Sequence, residues 1–169
     1  RYRSFRHDAA VPDSLTGDYI TALSPASGGY LWVGTRSNGL NRCRIEPWSC
    51  ERFDGRSASE PNLRHYHVTA LRRDREGGLW VATDGGGLHR AHVDAAGRVT
   101  RFERWGVDRG LLTDGIMGIE EDDDGSLWLS TRHGLSRLDP ATGQVVNHVV
   151  QSGLPVSHFN TGASSADTG

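Results

Sequence analysis

Arginine, histidine and aromatic residues stand in the polar segments between the apolar stretches of the chain, where they could bind a ligand. A guanidinium group offers paired N–H donors to a carboxylate, and an aromatic ring offers a face for stacking. Such residues suit an anionic or carbohydrate ligand, either a small molecule or an oligosaccharide. The candidate ligand-binding residues are Arg36, Asn38, His65, Tyr66, His67, Asp84, Trp105, Asp114, Arg132 and His133.

Several kinds of catalytic chemistry are absent from the sequence. All 19 basic residues are arginine, which excludes a Schiff-base lysine, a phosphate-loop lysine and a lysine general base. No nucleophile stands beside a base and no cofactor motif occurs, so we expect neither an enzyme nor a cofactor. His65 and His67 could share one face of a strand, but no third ligand accompanies them, and we expect no metal site. The acidic run from Glu121 to Gly125 lacks the bidentate glutamate of a calcium loop and is typical of a hairpin turn.

Charge and hydropathy exclude further classes. The 19 basic and 21 acidic residues give a formal net charge of −2, which offers no basic surface for nucleic acid. No run of 18 apolar residues and no signal-peptide pattern occurs, so we expect no membrane contact within this segment. The 22 glycines among 169 residues indicate many tight turns, hence many short strands. Because the chain begins at Arg1, we expect a piece of a longer protein.

An internal repeat with a period of about 48 residues sets the positions of these elements. Leu-Trp pairs recur at equal intervals of one repeat, at Trp32, Trp80 and Trp128. Two further series keep this interval to within one residue, namely Gly39, Gly87 and Gly134, and Phe5, Phe53 and Phe102. A tryptophan that recurs so regularly in the middle of a strand is expected to be structural and to pack between successive units.

Each unit consists of short apolar runs separated by turn residues. In the middle unit the runs are Val68 to Leu71, Leu79 to Thr83, Leu88 to Val93 and Val99 to Glu103. Consecutive apolar residues in such strands indicate a sheet covered on both faces, as in a propeller blade. The sequence therefore predicts an all-β fold, a partial β-propeller of about 3.5 four-stranded antiparallel blades.

The repeat also gives the expected boundaries. Residues 1–18 would hold the outer strand of a preceding blade, at Tyr2 to Arg6, and a link; 19–66, 67–115 and 116–157 would be blades; and 158–169 would begin another blade. Such a piece cannot close into a ring by itself. We expect either a fragment of a larger protein or ring completion by a second copy.

The two cysteines lie on the expected third and fourth strands of the first unit. Counted back from the turn between them, Cys43 and Cys50 can face each other across the hairpin. A disulfide between them is therefore expected in an oxidising compartment.

Two stretches resemble the repeat of the two-component regulator propeller family, Val68 to Arg90 (VTALRRDREGGLWVATDGGGLHR) and Gly110 to Asp139. Both combine a β-branched strand, an acidic turn, a Leu-Trp strand and a Gly-rich turn. The first unit departs from this pattern, because its turn SPASGG lacks acidic residues. The segment Gly153 to Ala163 resembles the entry into the last blade of these propellers, although Ser157 and His158 replace the usual amide-acid pair.

The resemblance implies a periplasmic sensor, the extracytoplasmic part of an inner-membrane protein, that binds a ligand without transforming it. In that family the propeller is followed by a β-sandwich linker, one membrane helix and a cytoplasmic histidine kinase or diguanylate cyclase. The implied partners are therefore the remainder of the propeller and these signalling domains. In parts of the family the ligands are polysaccharide breakdown products. Two alternatives stay open: a propeller lyase or glycosidase acting on carbohydrate, and a scaffold propeller that binds proteins.

Overall fold

A computed structural model of the chain describes residues 2–56 and 61–149. Within these ranges the chain forms strands β1 (Ile20–Ala26), β2 (Tyr30–Thr35), β3 (Leu40–Arg44), β4 (Ser49–Phe53), β5 (Val68–Arg73), β6 (Leu79–Thr83), β7 (Gly87–Val93), β8 (Val99–Trp105), β9 (Ile116–Glu121), β10 (Leu127–Thr131), β11 (Gly134–Leu138) and β12 (Val145–His148). A short 3-10 helix spans Val107–Arg109. The segment 158–169, predicted to begin another blade, lies outside the described residues.

Consecutive strands pair antiparallel into three four-stranded sheets, which we call blade 1 (β1–β4), blade 2 (β5–β8) and blade 3 (β9–β12). The first strands of neighbouring blades lie side by side. The Thr21 hydroxyl donates to the carbonyl of Val68 at 2.7 Å, and the Thr69 hydroxyl donates to that of Ile116 at 2.6 Å. The predicted all-β fold with four-stranded propeller blades is confirmed.

The core lies between the blades. Between blades 1 and 2 it contains Trp32, Leu40, Phe53, Leu63, Val68, Leu79, Val81, Ala91 and Val99. Between blades 2 and 3 it contains Trp80, Ala82, Leu88, Trp105, Leu111, Ile116, Ile119, Leu127, Leu129 and Leu138. Each large apolar side chain buried in this way contributes about 1.5–3 kcal/mol. Both faces of blade 2 are covered, which explains its uninterrupted apolar strands.

The three repeated tryptophans differ in burial. Trp32 is 4% exposed and Trp80 is fully buried, since each packs between two described blades. Trp128 is half-buried, and its ring lies 5.3 Å from that of His148 on the outer strand of its own blade. Within the described residues no blade covers the outer face of blade 3.

The turn between the second and third strands needs glycine in every blade. Gly39, Gly87 and Gly134 have φ values of 79°, 86° and 137°. A Cβ atom at these positions would lie 2.1, 2.2 and 2.3 Å from a backbone carbonyl oxygen of the fourth strand. Both the positive φ and the close approach exclude a side chain, which explains the glycine series in the sequence.

The N-terminal segment differs from the prediction. Residues 2–19 form no strand, so the outer strand expected at Tyr2 to Arg6 is not found there. Phe5 instead stacks on Trp48 with 3.8 Å between ring centroids, and Leu15 packs with Val33. The segment covers the face of blade 1 that points away from blade 2. It is held there by contacts between apolar side chains and not by strand pairing.

Cys43 and Cys50 lie opposite each other on β3 and β4 and are joined by a disulfide. Their Cα atoms are 4.0 Å apart, and both residues are buried. The disulfide lies beneath the N-terminal segment, in the apolar cluster with Leu15 and Val33.

A buried polar side chain on each third strand holds the link that precedes its blade. In each case it accepts a hydrogen bond from a backbone N–H of the link. The pairs are Asn41 with Thr16 at 2.8 Å, His89 with Arg64 at 3.2 Å, and Ser136 with Leu112 at 3.3 Å. The three donors are spaced by one repeat each, so the position is part of the repeat. It fixes the links that carry several candidate binding residues.

Candidate functional site

The links and the turns between second and third strands lie at one end of the blades, which we call the link face. Hydrogen bonds join the two kinds of segment. The N–H of Gly39 donates to the carbonyl of Tyr66 at 2.7 Å, and the N–H of Gly87 donates to that of Asp114 at 2.8 Å. The candidate binding residues predicted in turns and links are therefore brought to the same end of the molecule.

Three of these candidates occupy equivalent positions in successive blades. Arg36, Asp84 and Arg132 are spaced by one repeat each, and each follows a second strand. A guanidinium nitrogen of Arg132 donates to a carboxylate oxygen of Asp84 at 3.0 Å. The turns of blades 2 and 3 are thus connected by an ion pair across the link face.

His67 lies beside the Asp84–Arg132 ion pair, and we call these three residues the Asp84 cluster. Its Nδ1 lies 3.7 Å from the same Asp84 oxygen, and its carbonyl accepts the N–H of Asp84 at 3.0 Å. Burial lowers the pKa of His67 from its ordinary value; Asp84 opposes this, whereas Arg36 and other nearby cations add to it. The imidazole is therefore largely neutral at pH 7, and the charged groups around it are two guanidinium groups and one carboxylate.

Arg36 is the cation of this row that has no carboxylate partner among the described residues. Its side chain is exposed, and its guanidinium carbon lies 5.1 Å from the centroid of the Tyr19 ring. The backbone N–H of Arg36 donates to the carbonyl of Tyr19 at 3.0 Å. The ring holds the guanidinium group while leaving its N–H donors open to solvent and to an anion.

His65, Tyr66 and Asn38 form a neighbouring part of the link face. The rings of His65 and Tyr66 stack with 4.5 Å between centroids, and the guanidinium of Arg56 lies 4.7 Å from the Tyr66 centroid. Nδ1 of His65 accepts the backbone N–H of His67 at 3.2 Å. Asn38 is half-buried and bonds through its own N–H to Thr35.

The two histidines do not form part of a metal centre in the described residues. Among residues 2–56 and 61–149, no group of three His, Cys, Asp or Glu side chains could hold a metal ion. The ring nitrogen of His65 that faces His67 is occupied by a backbone N–H.

Trp105 and Asp114 lie outside the Asp84 cluster. Trp105 is 5% exposed, with its ring 5.2 Å from that of Trp80, so it belongs to the core between blades 2 and 3. The carboxylate of Asp114 accepts hydrogen bonds from Arg104 at 2.9 Å and from the N–H of Val107 at 3.0 Å, which orders the link. The burial of Trp105 does not support its predicted ligand-binding role.

His133 lies beside Arg132 in the turn of blade 3 and is exposed. Its backbone N–H donates to the Thr131 hydroxyl at 3.0 Å, which shapes the turn and leaves the imidazole at the surface. The structure therefore groups four of the predicted site residues, Arg36, His67, Asp84 and Arg132. Around them lie His65, Tyr66, Asn38 and His133. The side chains of Trp105 and Asp114 lie elsewhere.

Sequence reasoning missed Tyr19 and Arg56. Tyr19 stands one repeat before His67, immediately ahead of the first inner strand, so the repeat contained the signal. Arg56 is brought over the link face by a hydrogen bond to the carbonyl of Ser37 at 2.7 Å. No spacing rule indicates that contact, because it depends on the path of an irregular link.

Apart from this row, a polar depression of about 610 Å³ lies on the outer side of the link face of blade 2. Its lining includes four arginines, Arg64, Arg101, Arg104 and Arg109, together with Glu103 and Asp108. Arg104 and Arg109 are already paired with these carboxylates, at 2.7 and 3.2 Å. Arg101 also lies 3.8 Å from Glu103, so three of these four arginines have a carboxylate partner.

Comparison with protein families identifies the repeat. Residues 14–37, 62–85 and 110–133 each match the model of the family described as two component regulator propeller. The matches begin one repeat apart, in register with the blades. The three blades are thus built from one type of propeller repeat. It belongs to the two component regulator propeller family.

Solved structures show the same architecture. The extracellular domain of BT3049 from B. thetaiotaomicron, which is named a hybrid two component system, is 21% identical, with a TM-score of 0.79 over 96% of this chain. The chain spans about a fifth of that domain, 21% of its length. Virginiamycin B lyase from Staphylococcus aureus is 12% identical, with a TM-score of 0.56 over 82% of this chain and 42% of that one.

At these identities the likenesses establish the fold. No curated protein matches the chain. In the part of the chain that the structure describes, no helix is long and apolar enough to cross a membrane.

Proposed function

We propose that this propeller segment is the ligand-sensing, extracytoplasmic part of a bacterial two-component-type signalling protein, and that it binds an anionic ligand at the link face. The class of ligand is an acidic small molecule or oligosaccharide. Membership of the regulator propeller family and the likeness to an extracellular domain of a two component system support the sensing role.

The observation that carries the proposal is the row of Arg36, Asp84 and Arg132. One carboxylate stands between two guanidinium groups, and Arg36 has no carboxylate partner among the described residues. An arginine held on an aromatic ring with free donors is suited to a carboxylate or sulfate group, which it can bind through two parallel hydrogen bonds. Tyr66, which is 39% exposed beside the row, would contact an attached sugar through its ring edge.

We propose binding without turnover at this row. The carboxylate of Asp84 is paired with Arg132 and lies close to His67, so it neutralises charge and is poorly placed to remove a proton from a ligand. The partners in signalling would be the rest of the propeller and output domains such as a histidine kinase or a diguanylate cyclase.

Calorimetric titration of the full chain tests the proposal with a uronic-acid oligosaccharide and its neutral hexose counterpart. We expect saturable binding of the acidic oligosaccharide alone. Arg36→Ala should weaken it about tenfold or more, the effect of one charged hydrogen-bonding group. Arg44→Ala is the matched control, because Arg44 is exposed at the opposite end of β3.

Equal affinity for both oligosaccharides would contradict recognition of charge. Absence of binding, or equal losses in the Arg36 and Arg44 variants, would overturn the assignment of the site. Chromatography of the same mixtures distinguishes the enzyme alternative, since the appearance of cleaved product would replace sensing with catalysis.

A further inference from the structure

The end of the blades opposite the link face, which we call the hairpin face, carries the turns between first and second strands. In blade 2, Asp74 stands at this turn and accepts the indole N–H of Trp80 at 2.9 Å. In blade 3, Asp122 accepts the indole N–H of Trp128 at 2.9 Å. The same carboxylate position therefore satisfies the repeated tryptophan in both blades.

An arginine on the third strand completes each of these groups. Nη2 of Arg90 lies 3.3 Å from the Asp74 carboxylate, and Nε of Arg137 lies 3.5 Å from that of Asp122. Both arginines stand directly opposite the tryptophan in the strand register, and their guanidinium groups lie over the indole rings. Carboxylate, indole N–H and guanidinium thus form one repeated set of three.

Blade 1 has two members of this set and lacks the third. Trp32 and Arg42 stand opposite each other as in the other blades, but Ala26 occupies the carboxylate position. Among the described residues neither side chain makes a hydrogen bond; the nearest carboxylate to Arg42 is that of Glu51, at 3.7 Å. The Arg42 side chain is only 11% exposed and its guanidinium lies 3.8 Å from the Tyr30 centroid.

A cavity of about 120 Å³ lies at this position, between blades 1 and 2. Ala26, Trp32 and Arg42 line it from blade 1, and Arg73 lines it from blade 2. Its other walls are mainly apolar side chains and glycines, with Leu79 and Ala91 among them. No acidic residue is among them. Arg73 donates to the Ser27 hydroxyl at 2.9 Å and to the Gly77 carbonyl at 3.4 Å, which leaves Arg42 and the Trp32 indole N–H without a hydrogen-bond acceptor among the described residues.

We propose that this cavity binds a small aliphatic monocarboxylate, whose carboxylate group takes the place that Asp74 and Asp122 fill in blades 2 and 3. The Arg42 guanidinium and the Trp32 indole would bind its oxygens, as the equivalent groups bind the aspartates. The alkyl part would contact Leu79 and Ala91. A cavity of about 150 Å³ holds benzene, so this one suits an acid of about two to four carbon atoms.

The site is separate from the anion row at the link face and its test does not depend on the proposed function. The indole N–H resonance of Trp32 is the direct probe, measured by NMR on the full chain during titration with propionate at constant ionic strength. We expect a saturable shift for Trp32, while Trp80 and Trp128 keep their positions because their N–H groups are already bonded to aspartate.

Ala26→Asp restores the third member of the set within the chain. In this variant we expect the Trp32 resonance to start near its propionate-bound position and to become insensitive to propionate. Arg42→Gln provides a second variant with little change in size, and should weaken binding about tenfold or more. Arg36→Ala should leave the Trp32 shift unchanged, which separates this site from the link face.

Three results would overturn the proposal. The first is a Trp32 resonance that does not respond to propionate. The second is an equal response to propionamide or chloride, which would show an apolar cavity or a general anion effect in place of carboxylate recognition. The third is an unaltered propionate response in both Ala26→Asp and Arg42→Gln.

Discussion

Blades 1 and 2 share the same four-strand frame but are stabilised by different chemistry. On their third and fourth strands, blade 1 pairs Cys43 with Cys50 through a disulfide, whereas blade 2 has Ala91 opposite Phe102 at the same register. At the first turn, blade 2 bonds its tryptophan to Asp74, whereas blade 1 has no such carboxylate.

The comparison separates what the fold requires from what it tolerates. The tryptophan on the second strand and the glycine after it are retained because both are enclosed by neighbouring backbone or side chains. The turn carboxylate and the cross-strand pair can vary, since each adds to a blade whose apolar faces are already covered. Variants of these two blades test this distinction in three measurements.

The largest effect is expected from Trp80→Ala. Trp80 is fully buried between blades and bonded to Asp74, so its removal should lower the free energy of unfolding by about 3–5 kcal/mol. Trp32→Ala should cost about 1 kcal/mol less, because Trp32 has no such hydrogen bond. Denaturant unfolding of both variants measures the difference. Equal losses would show that the aspartate bond contributes nothing to blade 2.

Removal of the disulfide should have the next largest effect. The double variant Cys43→Ser with Cys50→Ser should lose about 2–3 kcal/mol, since the bond closes a loop with a sequence separation of 7 residues. Thermal unfolding with and without a reductant measures it. The reductant should destabilise the parent chain and leave the double variant unchanged; a reductant effect of the same size in both would contradict the role given to the disulfide.

The smallest effect depends on pH and concerns His89 in blade 2, whose equivalent in blade 1 is Asn41. Burial, with a contribution from Arg104, lowers the pKa of His89 from 6.5 to about 3. In the unfolded chain His89 is protonated below pH 6.5, whereas in the folded chain it stays neutral down to about pH 3. The free energy of unfolding therefore has its full value above pH 6.5 and falls as the pH drops, by about 2 kcal/mol at pH 5.

His89→Asn gives blade 2 the non-titrating side chain of blade 1 and should remove this part of the pH dependence. Unfolding of parent and variant at pH 5 and pH 7.5 measures the change. The Arg64 N–H that donates to His89 can donate equally to an asparagine oxygen, as Thr16 does to Asn41. A parallel loss of stability in both proteins on acidification would show that His89 is not the responsible group.

The sequence was sufficient to predict the fold because the repeat is imposed by packing. Trp32, Trp80 and Trp128 recur where side chains fill the space between sheets, and their equal spacing is visible without coordinates. The row of Arg36 and Arg132 with Asp84 follows the same spacing, so three binding candidates could be found by position. A repeat marks equivalent positions in each blade, and the charged residues at those positions can therefore be identified from the sequence.

The remaining site residues depend on local contacts that no spacing records. Trp105 departs from the sequence spacing because β8 has 7 residues and β4 has 5, yet it lies opposite Leu88 as Phe53 lies opposite Leu40, and it packs against Trp80. Asp114 is fixed by Arg104, a long side chain whose direction is set by folding. Ala26 lines the cavity beside Trp32 and lies in the turn that lacks the acidic residues of the repeat. The sequence showed the missing acidic residue but could not show the cavity.

The hydrogen-bonded links give the molecule a mechanical property. Residues 61–67 of the link between blades 1 and 2 are bonded to blade 1 through Tyr66 and Gly39, and to blade 2 through Arg64 and His89. Rotation of blade 1 relative to blade 2 would stretch either the Gly39–Tyr66 or the Arg64–His89 hydrogen bond. A displacement of His67 by a bound ligand would therefore act on blades 1 and 2 together.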